Sequence, residues 1–282
     1  MSPSKKRKSK KKKKKGSSFN LTTLLPFFLL LCVLALLNSI QARREIIRIY
    51  NKYSIYFSTN GFKSYMLTNN FDTEIPKGYS VHGVDVSRYQ GKIDWKQVAK
   101  IRQDTLCISF AFIKATQGKT YSDRFYSYNM KEARENNIIC GAYHYYEPDL
   151  NSEKQAENFI SLVELKVGDL PPVLDIEEQS PYGQDNMVRG IKNWLEIVEK
   201  HYGIKPIIYT SNCFHKDFLS GEEFKKYPFW IAHYYEKKLK TSSNWIFWQH
   251  TDKAHVNGIS AYVDLSVFNG NLEELRDLCK KE

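Results

Sequence analysis

The sequence has few of the residues and motifs that usually mark metal, redox and nucleotide sites. It has five cysteines in 282 residues, no C-x-x-C pair and no cysteine spacing typical of a metal site. It has no glycine-rich phosphate loop, and no motif supports a Ser-His-Asp or Cys-His arrangement. We therefore expect no metal and no cofactor. Four cysteines outside the apolar N-terminal segment allow three pairings, and we expect them to be buried free thiols, namely Cys107, Cys140, Cys213 and Cys279.

Beyond the first residues, basic and acidic side chains almost balance. The net charge is +11, but residues 1–15 hold ten lysines and arginines and no acid, so the rest of the chain carries 11 − 10 = +1. A nearly neutral body offers no basic stripe for a phosphate backbone. We therefore expect no nucleic-acid partner and interpret the basic run as a topology signal in contact with anionic lipid.

A long uncharged run follows the basic residues. Residues 19–40 contain no charged side chain, and as a helix they would span roughly 33 Å, enough for a bilayer core of about 30 Å. This pattern predicts a cytoplasmic tail over 1–18, a transmembrane helix over 19–40 that contacts the lipid bilayer, and an outward-facing remainder. A cleaved signal peptide is the alternative, although Ile40-Gln41-Ala42 is a poor cleavage site.

Residues 41–80 contain no chemical motif and are interpreted as a stem, so the folded domain covers 81–282. Within it, short apolar runs alternate with amphipathic stretches. The predicted strands are 81–86, 107–114, 138–145, 172–176, 205–209, 229–233, 245–250 and 263–268, and the predicted helices are 94–102, 123–136, 152–165 and 185–202, the first with Asp94 as N-cap. This order predicts a parallel α/β barrel. The domain is shorter than the ~250 residues of a full eightfold barrel, so we expect a strand-rich last quarter.

Carboxylates and aromatic side chains dominate the predicted carboxyl ends of the strands, where barrel enzymes place their chemistry. Asp175 and Glu177 form the central pair, because residues i and i+2 of a strand share a face, with Cα atoms ~6.6 Å apart. Two negative charges at such a short distance raise the pKa of one of the two acids. That leaves one protonated and one ionised carboxyl, as hydrolysis of a glycoside requires. A solvated cluster of strand-end acids that includes Glu178 is the alternative.

The other strand-end residues each have a structural alternative when taken singly. Asp85 could cap backbone N–H groups, and Asp264 could be a surface acid. Lys114 could be an amine nucleophile, although an ion pair with a strand-end carboxylate is the expected role. Aromatic and histidine side chains at these ends could equally belong to the core; they are Tyr143, Tyr209, Trp230, Trp248, His144 and His233.

Eight segments, in order along the chain, resemble the family 25 glycoside hydrolases, the Chalaropsis-type lysozymes. They are HGVDVSRYQGKIDW (82–95), FIKATQG (112–118), GAYH (141–144), LPPVLDIE (170–177), IIYT (207–210), FWIAHY (229–234), WQ (248–249) and VDLSVF (263–268). The resemblance implies an irregular barrel of five β/α units followed by strands. It also implies hydrolysis of the β-1,4 bond between N-acetylmuramic acid and N-acetylglucosamine in peptidoglycan.

The resemblance also implies residue roles. Glu177 matches the general acid, Asp175 its partner carboxylate, and Asp85 and Asp264 the other site acids. The expected substrate-binding residues are Tyr143, Tyr209, Trp230, Lys114 and Gln249. Two positions depart from the family's pattern: Gln117 stands where the family often has Glu, and Ser266 stands where Asn is common. Both departures concern contacts in the groove, and neither concerns the four acids.

These matches lead to an expected mechanism. We expect retention through the substrate's acetamido group, with a covalent ester on Asp175 as the alternative. We also expect a monomer in the bacterial cytoplasmic membrane with its catalytic domain in the periplasm. A silent wall-binding module tethered to the membrane and a hydrolase of chitin-like polymers are the rival functions.

Overall fold

The computed structural model describes residues 71–100 and 107–282. The predicted tail (1–18), the predicted membrane helix (19–40) and most of the predicted stem lie outside these described residues. Within the described ranges, no helix is long and apolar enough to cross a bilayer.

In the described part of the chain, nine strands form one sheet that closes on itself. Their order around the sheet is β1-β9-β8-β7-β6-β5-β4-β2-β3, and a further pairing of β1 with β2 closes an eight-stranded barrel that leaves the short β3 outside. The strands are β1 (His82–Val86), β2 (Ile108–Gln117), β3 (Tyr121–Ser122), β4 (Ile139–Tyr145), β5 (Val173–Asp175), β6 (Ile207–Ser211), β7 (Phe229–Ala232), β8 (Trp245–Ala254) and β9 (Val263–Phe268).

Helices follow most of the early strands, as the pattern predicts. They are α1 (Trp95–Ala99), α2 (Tyr126–Glu135), α3 (Ser152–Leu162), α4 (Gln184–Tyr202), α5 (Asn212–Phe214) and α6 (Leu272–Asp277), with a π turn at His215–Leu219 and a 3₁₀ turn at Glu222–Phe224. Asp94 caps α1 by accepting a hydrogen bond from the Gln97 N–H at 3.1 Å, which confirms the predicted N-cap. The strand β3 and the helix α6 were not predicted.

The prediction of a wholly parallel barrel is wrong for the last strand. Strands β1, β2 and β4 to β8 run parallel to one another, whereas β9 runs antiparallel to both β8 and β1. Only residues 255–262 connect β8 to β9, and a parallel connection needs a crossover of about a dozen residues or more. The short connection therefore reverses the chain and closes the barrel with an antiparallel strand.

Alternation along the strands divides the apolar side chains into an inner and an outer cluster. Phe110 and Phe112 of β2 point into the barrel, whereas the alternate residues Ala111 and Ile113 pack outward against the helices. Two glycines make room for these rings. A Cβ at Gly83 would lie 2.3 Å from Phe110, and one at Gly141 would lie 2.5 Å from Phe112. The sequence thus fills the barrel interior with aromatic rings and leaves the polar chemistry for its carboxyl end.

The four cysteines of the described residues are all free thiols. Cys140 and Cys279 are buried, as expected. The expectation is wrong for Cys107 and Cys213, which are exposed. Cys107 precedes the first residue of β2, so the apolar run that follows it does not place it in the core.

Candidate active site

The carboxyl ends of β1 and β4 to β8 direct their inward-facing side chains to one mouth of the barrel. The antiparallel β9 contributes through its amino-terminal end, where Asp264 pairs with Asp85 of β1. Asp175 pairs with Tyr145 on one side and with Tyr209 on the other. The four acids named from the sequence are therefore brought to one end of the barrel.

Asp85 is held by an amide that other residues orient. The Asp85 side chain is 8% exposed, and its Oδ2 accepts a hydrogen bond from Gln249 Nε2 at 2.8 Å. Gln249 Oε1 accepts hydrogen bonds from the hydroxyls of Tyr209 and Tyr234, each at 2.7 Å. Because both phenols donate to the amide oxygen, the amide nitrogen must face Asp85.

Asp85 and Asp264 form the first acid pair. Burial raises the pKa of Asp85 to about 7, although hydrogen bonds with Gln249 and Asp264 oppose this shift. Burial, and then the charge of Asp85, raise the pKa of Asp264 well above its ordinary value. Near neutral pH the pair therefore keeps at least one proton between its two carboxyl groups.

Asp175 and Glu177 form the second acid pair, with unequal exposure. Asp175 is the last residue of β5 and is 6% exposed, whereas Glu177 lies beyond the strand and is exposed. Burial, and then the negative charge of Glu177, raise the pKa of Asp175 well above its ordinary value, while the charge of Lys114 lowers it. A hydrogen bond with Glu177 also raises it. This pair thus holds a proton on a buried carboxyl next to one that solvent and substrate can reach.

A chain of polar contacts lies beside the second pair. Lys114 Nζ donates to Gln117 Oε1 at 2.8 Å and lies 4.5 Å from the centre of the Tyr145 ring. Gln117 Nε2 in turn donates to Glu147 at 2.8 Å. Gln117, which stands where the resemblance suggests Glu, therefore links the strand-end lysine to an acid in the loop after β4.

Several residues that were predicted to bind sugar are more deeply buried than residues that line an open groove. Trp230 is 2% exposed, stacks on Phe112 with ring centres 4.6 Å apart, and donates from Nε1 to Ser266 Oγ at 3.0 Å. Tyr209 is also buried, and Tyr143 is partly buried. Trp230 and Tyr209 therefore form the floor beneath the acids, and their contact with sugar stays a prediction.

The structure assigns a role to His144 and reveals two residues that sequence reasoning missed. His144 is fully buried and contacts Thr116 through Nδ1 and Gln155 through Nε2, so it is a structural residue. Tyr234 was missed, although the i, i+2 alternation from Trp230 through Ala232 points to it. Tyr145, whose hydroxyl donates to Glu178 at 2.8 Å, was likewise not singled out.

Paired carboxyls at a barrel mouth can supply both a proton donor and a stabilising negative charge. Their arrangement suits acid-catalysed cleavage. Among the described residues, no group of three or more His, Cys, Asp or Glu side chains has a geometry that could hold a metal ion.

Known proteins resemble this chain in sequence and in fold. A family model described as "Glycosyl hydrolases family 25" matches residues 84–259. The uncharacterized protein YegX of Escherichia coli (strain K12) is 40% identical over 250 residues, which cover 88% of this chain and 92% of YegX. Lysozyme M1 of Streptomyces globisporus is 34% identical over 213 residues, which cover 69% of this chain and 70% of that protein. A solved family 25 glycosyl hydrolase from Bacillus anthracis has a TM-score of 0.67 and 32% identity over 77% of this chain and 100% of its own. The chain therefore belongs to glycosyl hydrolase family 25 and is a glycoside hydrolase.

Proposed function

We propose that the protein is a muramidase that hydrolyses the β-1,4 bond between N-acetylmuramic acid and N-acetylglucosamine in bacterial peptidoglycan. The observation that carries this proposal is the unequal pair of Asp175 and Glu177 at the barrel mouth. One carboxyl is buried with a raised pKa, and the other is exposed beside it. Similarity to proteins named lysozyme supports the choice of substrate.

Glu177 is the proton donor in this proposal. A general acid must reach the glycosidic oxygen, and Glu177 is the exposed member of the pair. The pair holds a proton that the buried Asp175 retains near neutral pH. Passage of that proton across their shared hydrogen bond protonates Glu177, which gives it to the leaving oxygen. The C1–O bond breaks as this oxygen becomes a hydroxyl.

Asp175 becomes a carboxylate when it passes on its proton. It then accepts a hydrogen bond from the N–H of the substrate's acetamido group, whose carbonyl oxygen attacks C1 and forms an oxazolinium intermediate. Water, deprotonated by Glu177, opens this ring with net retention of configuration. An inverting reaction would need a water between carboxyls about 6.5–9.5 Å apart, whereas these two share a hydrogen bond.

In its ionised form, Asp85 places negative charge near the developing positive charge at C1. Gln249 holds its Oδ2, so little reorganisation is needed when the charge develops. With a pKa of about 7, Asp85 is partly ionised at neutral pH, and the cationic transition state draws it further toward the ionised form.

A silent wall-binding module is disfavoured by the cost of these acids. Burying ionisable groups without full compensation destabilises a fold, and a module that only binds sugar gains nothing from raising the pKa of three carboxyls. A hydrolase of chitin-like polymers would keep the same acids, so the product has to separate it from a muramidase.

We also propose that the protein is a single-pass protein of the bacterial cytoplasmic membrane, with residues 19–40 in the bilayer, residues 1–18 in the cytoplasm and the barrel in the periplasm as a monomer. The basic run before an uncharged segment supports this orientation. Secretion after signal cleavage is the alternative. Fractionation of cells that express a C-terminally tagged chain separates the two, since only the anchored form stays full-length in the membrane fraction.

The activity is tested with the full-length chain in detergent and purified peptidoglycan. New reducing ends on muramic acid are the expected product. Reducing ends on N-acetylglucosamine, or cleavage of chitin oligomers at a similar rate, would assign the enzyme to another substrate. Wall binding without any new reducing end would identify a binding module.

A further inference from the structure

An exposed arginine near the barrel mouth is held between two tyrosines. The Arg88 guanidinium donates to the hydroxyls of Tyr89 and Tyr121 at 3.3 and 3.4 Å. Its central carbon lies 5.1 and 5.4 Å from the centres of the same two rings. We call these three residues the Arg88 clamp. The two rings limit the directions in which the planar guanidinium can point, and Arg88 is exposed, so a ligand in solvent can reach it.

The clamp lies at the same end of the barrel as the acids. Arg88 follows Asp85 by three residues, so their Cα atoms are at most about 10 Å apart. Tyr121 lies on β3 and pairs with Gln117, the residue that receives the hydrogen bond of Lys114. The clamp is therefore within the reach of one or two sugar units from the acid pairs.

The backbone that carries Arg88 is fixed from both sides. The Arg88 N–H donates to Asp123 Oδ2 at 2.8 Å, and Gln90 Nε2 donates to the carbonyl of Tyr262 at 3.0 Å. These contacts join the loop after β1 to its neighbours on the rim. The guanidinium is thus presented by an anchored loop, which lowers the entropy lost when it binds a ligand.

No carboxylate of the described residues forms an ion pair with Arg88. An arginine fork binds planar carboxylates through two parallel hydrogen bonds, and the exposed Tyr89 ring, 61% accessible, adds an apolar face next to it. Peptidoglycan has carboxylates that chitin lacks: the free carboxyls of the peptide stem, which is joined to the lactyl group by an amide, and the lactyl carboxyl itself on muramic acid units that carry no stem. The chemistry of the clamp matches this difference between the two polymers.

We propose that the Arg88 clamp is a subsite that binds a carboxylate of the muramyl unit, either the lactyl group or the peptide stem, and so favours peptidoglycan over neutral glycans. This inference rests on the proposed muramidase function and adds the residue that selects its substrate. Arg88 is a binding residue here, because it touches the substrate at a distance from the bond that breaks.

The test compares binding to intact walls with binding to walls whose carboxylates have been converted to amides. Full-length protein with Glu177→Gln is used, so that binding is measured without turnover, alone and combined with Arg88→Gln. Arg124→Gln is the matched control, since Arg124 is exposed in a nearby loop and lies over Phe125. The basic tail is present in every variant, so its attraction to the wall cancels in the comparison.

We expect amidation of the wall to weaken binding roughly fivefold, as for an exposed ion pair near the upper end of its usual range. Arg88→Gln should remove this fivefold contribution and leave only the preference that the basic tail gives to every variant. Arg88→Lys should restore part of the contribution, and Arg124→Gln should keep all of it. Walls from which the stems have been cut by an amidase carry only the newly freed lactyl carboxylates. An Arg88-dependent preference on these walls shows that the clamp accepts the lactyl carboxylate, whereas its loss there assigns the preference on intact walls to the stem.

A preference that Arg88→Gln leaves unchanged, or that Arg124→Gln removes equally, overturns the proposal. Failure of the proposed muramidase function is seen in a separate assay. The protein that keeps Glu177 would then produce no new reducing ends on muramic acid. In the active protein, Arg88→Gln should raise KM on intact walls by the same factor and leave kcat unchanged.

Discussion

The barrel mouth contains two pairs of acids that the chain supports in different ways. Asp85 and Asp264 lie opposite each other on antiparallel strands, and the Gln249 amide, held by two phenols, fixes Asp85. Asp175 and Glu177 lie along one strand end, where the first is buried and the second is exposed. The first pair is therefore suited to hold charge in a fixed place, and the second to move a proton to a substrate.

The largest expected effect comes from the exposed member of the second pair. Glu177→Gln removes the proton donor, so kcat should fall roughly a thousandfold, within the range for a lost general acid. The thermal midpoint should not fall, because the side chain is exposed. Glu178→Gln is the neighbouring control and should keep most of its turnover. Equal losses in the two variants would remove the special role of Glu177.

The next-largest effect concerns the first acid pair, Asp85 and Asp264, which we call the fixed pair. It is a change in how the free energy of unfolding depends on pH. The folded protein keeps Asp85 protonated up to about pH 7, whereas the unfolded chain releases this proton near pH 4, so the stability contribution of the proton is lost as pH rises between these values. Asp85→Asn cannot ionise. Its free energy of unfolding, relative to wild type, should therefore rise from pH 4 to pH 8 by at most about 4 kcal/mol. Urea titrations at both pH values measure this, and a difference independent of pH would show that Asp85 is ionised in the folded state throughout.

The support of the fixed pair can be removed without touching either acid. Gln249→Leu leaves Asp85, Tyr209 and Tyr234 without their shared partner, which should cost about 2–3 kcal/mol of stability and lower kcat more than it raises KM. Gln249→Glu is the sharper variant, since it can still accept from the phenols but repels Asp85. If Gln249→Glu keeps full activity, the amide does not position Asp85.

The smallest effect is expected from one of the two phenols. Tyr234→Phe deletes one donor to Gln249 while Tyr209 still holds the amide, so the loss should be about 1 kcal/mol. Tyr145→Phe is its control, because that hydroxyl donates to Glu178 at the other pair. The pH dependence of activity should shift only for Tyr234→Phe, and the opposite result would place the sensitive acid in the second pair.

Strand periodicity predicted most of the barrel and the location of its acids. The alternation of Asp175 and Glu177 placed both at one strand end, and the predicted bounds of β9 coincide with those of the structure. The different exposure of the two acids could not be predicted, since β5 ends at Asp175 and the position of Glu177 then depends on the loop. The direction of β9 was also missed, because periodicity is the same for parallel and antiparallel strands.

The role of Gln249 shows a second limit of sequence reasoning. Its place beside a tryptophan near a predicted strand end suggested a residue that binds sugar. The side chain is 1% exposed, however, and forms hydrogen bonds with three other side chains. Its partner Asp85 is 164 positions away in the chain. No local pattern encodes such a contact, which exists only because the barrel places β1 and β8 on either side of β9.

The exposed thiols of Cys107 and Cys213 provide a native means of determining on which side of a membrane the barrel lies. A maleimide that cannot cross bilayers reacts only with thiols on its own side, and the buried Cys140 and Cys279 are shielded from it in the folded domain. If the barrel faces the periplasm, permeabilising the outer membrane alone should make the protein reactive. If the barrel faces the cytoplasm, the thiols should react only after the inner membrane has also been permeabilised. Two residues with no part in the proposed chemistry thus report the orientation of the whole domain.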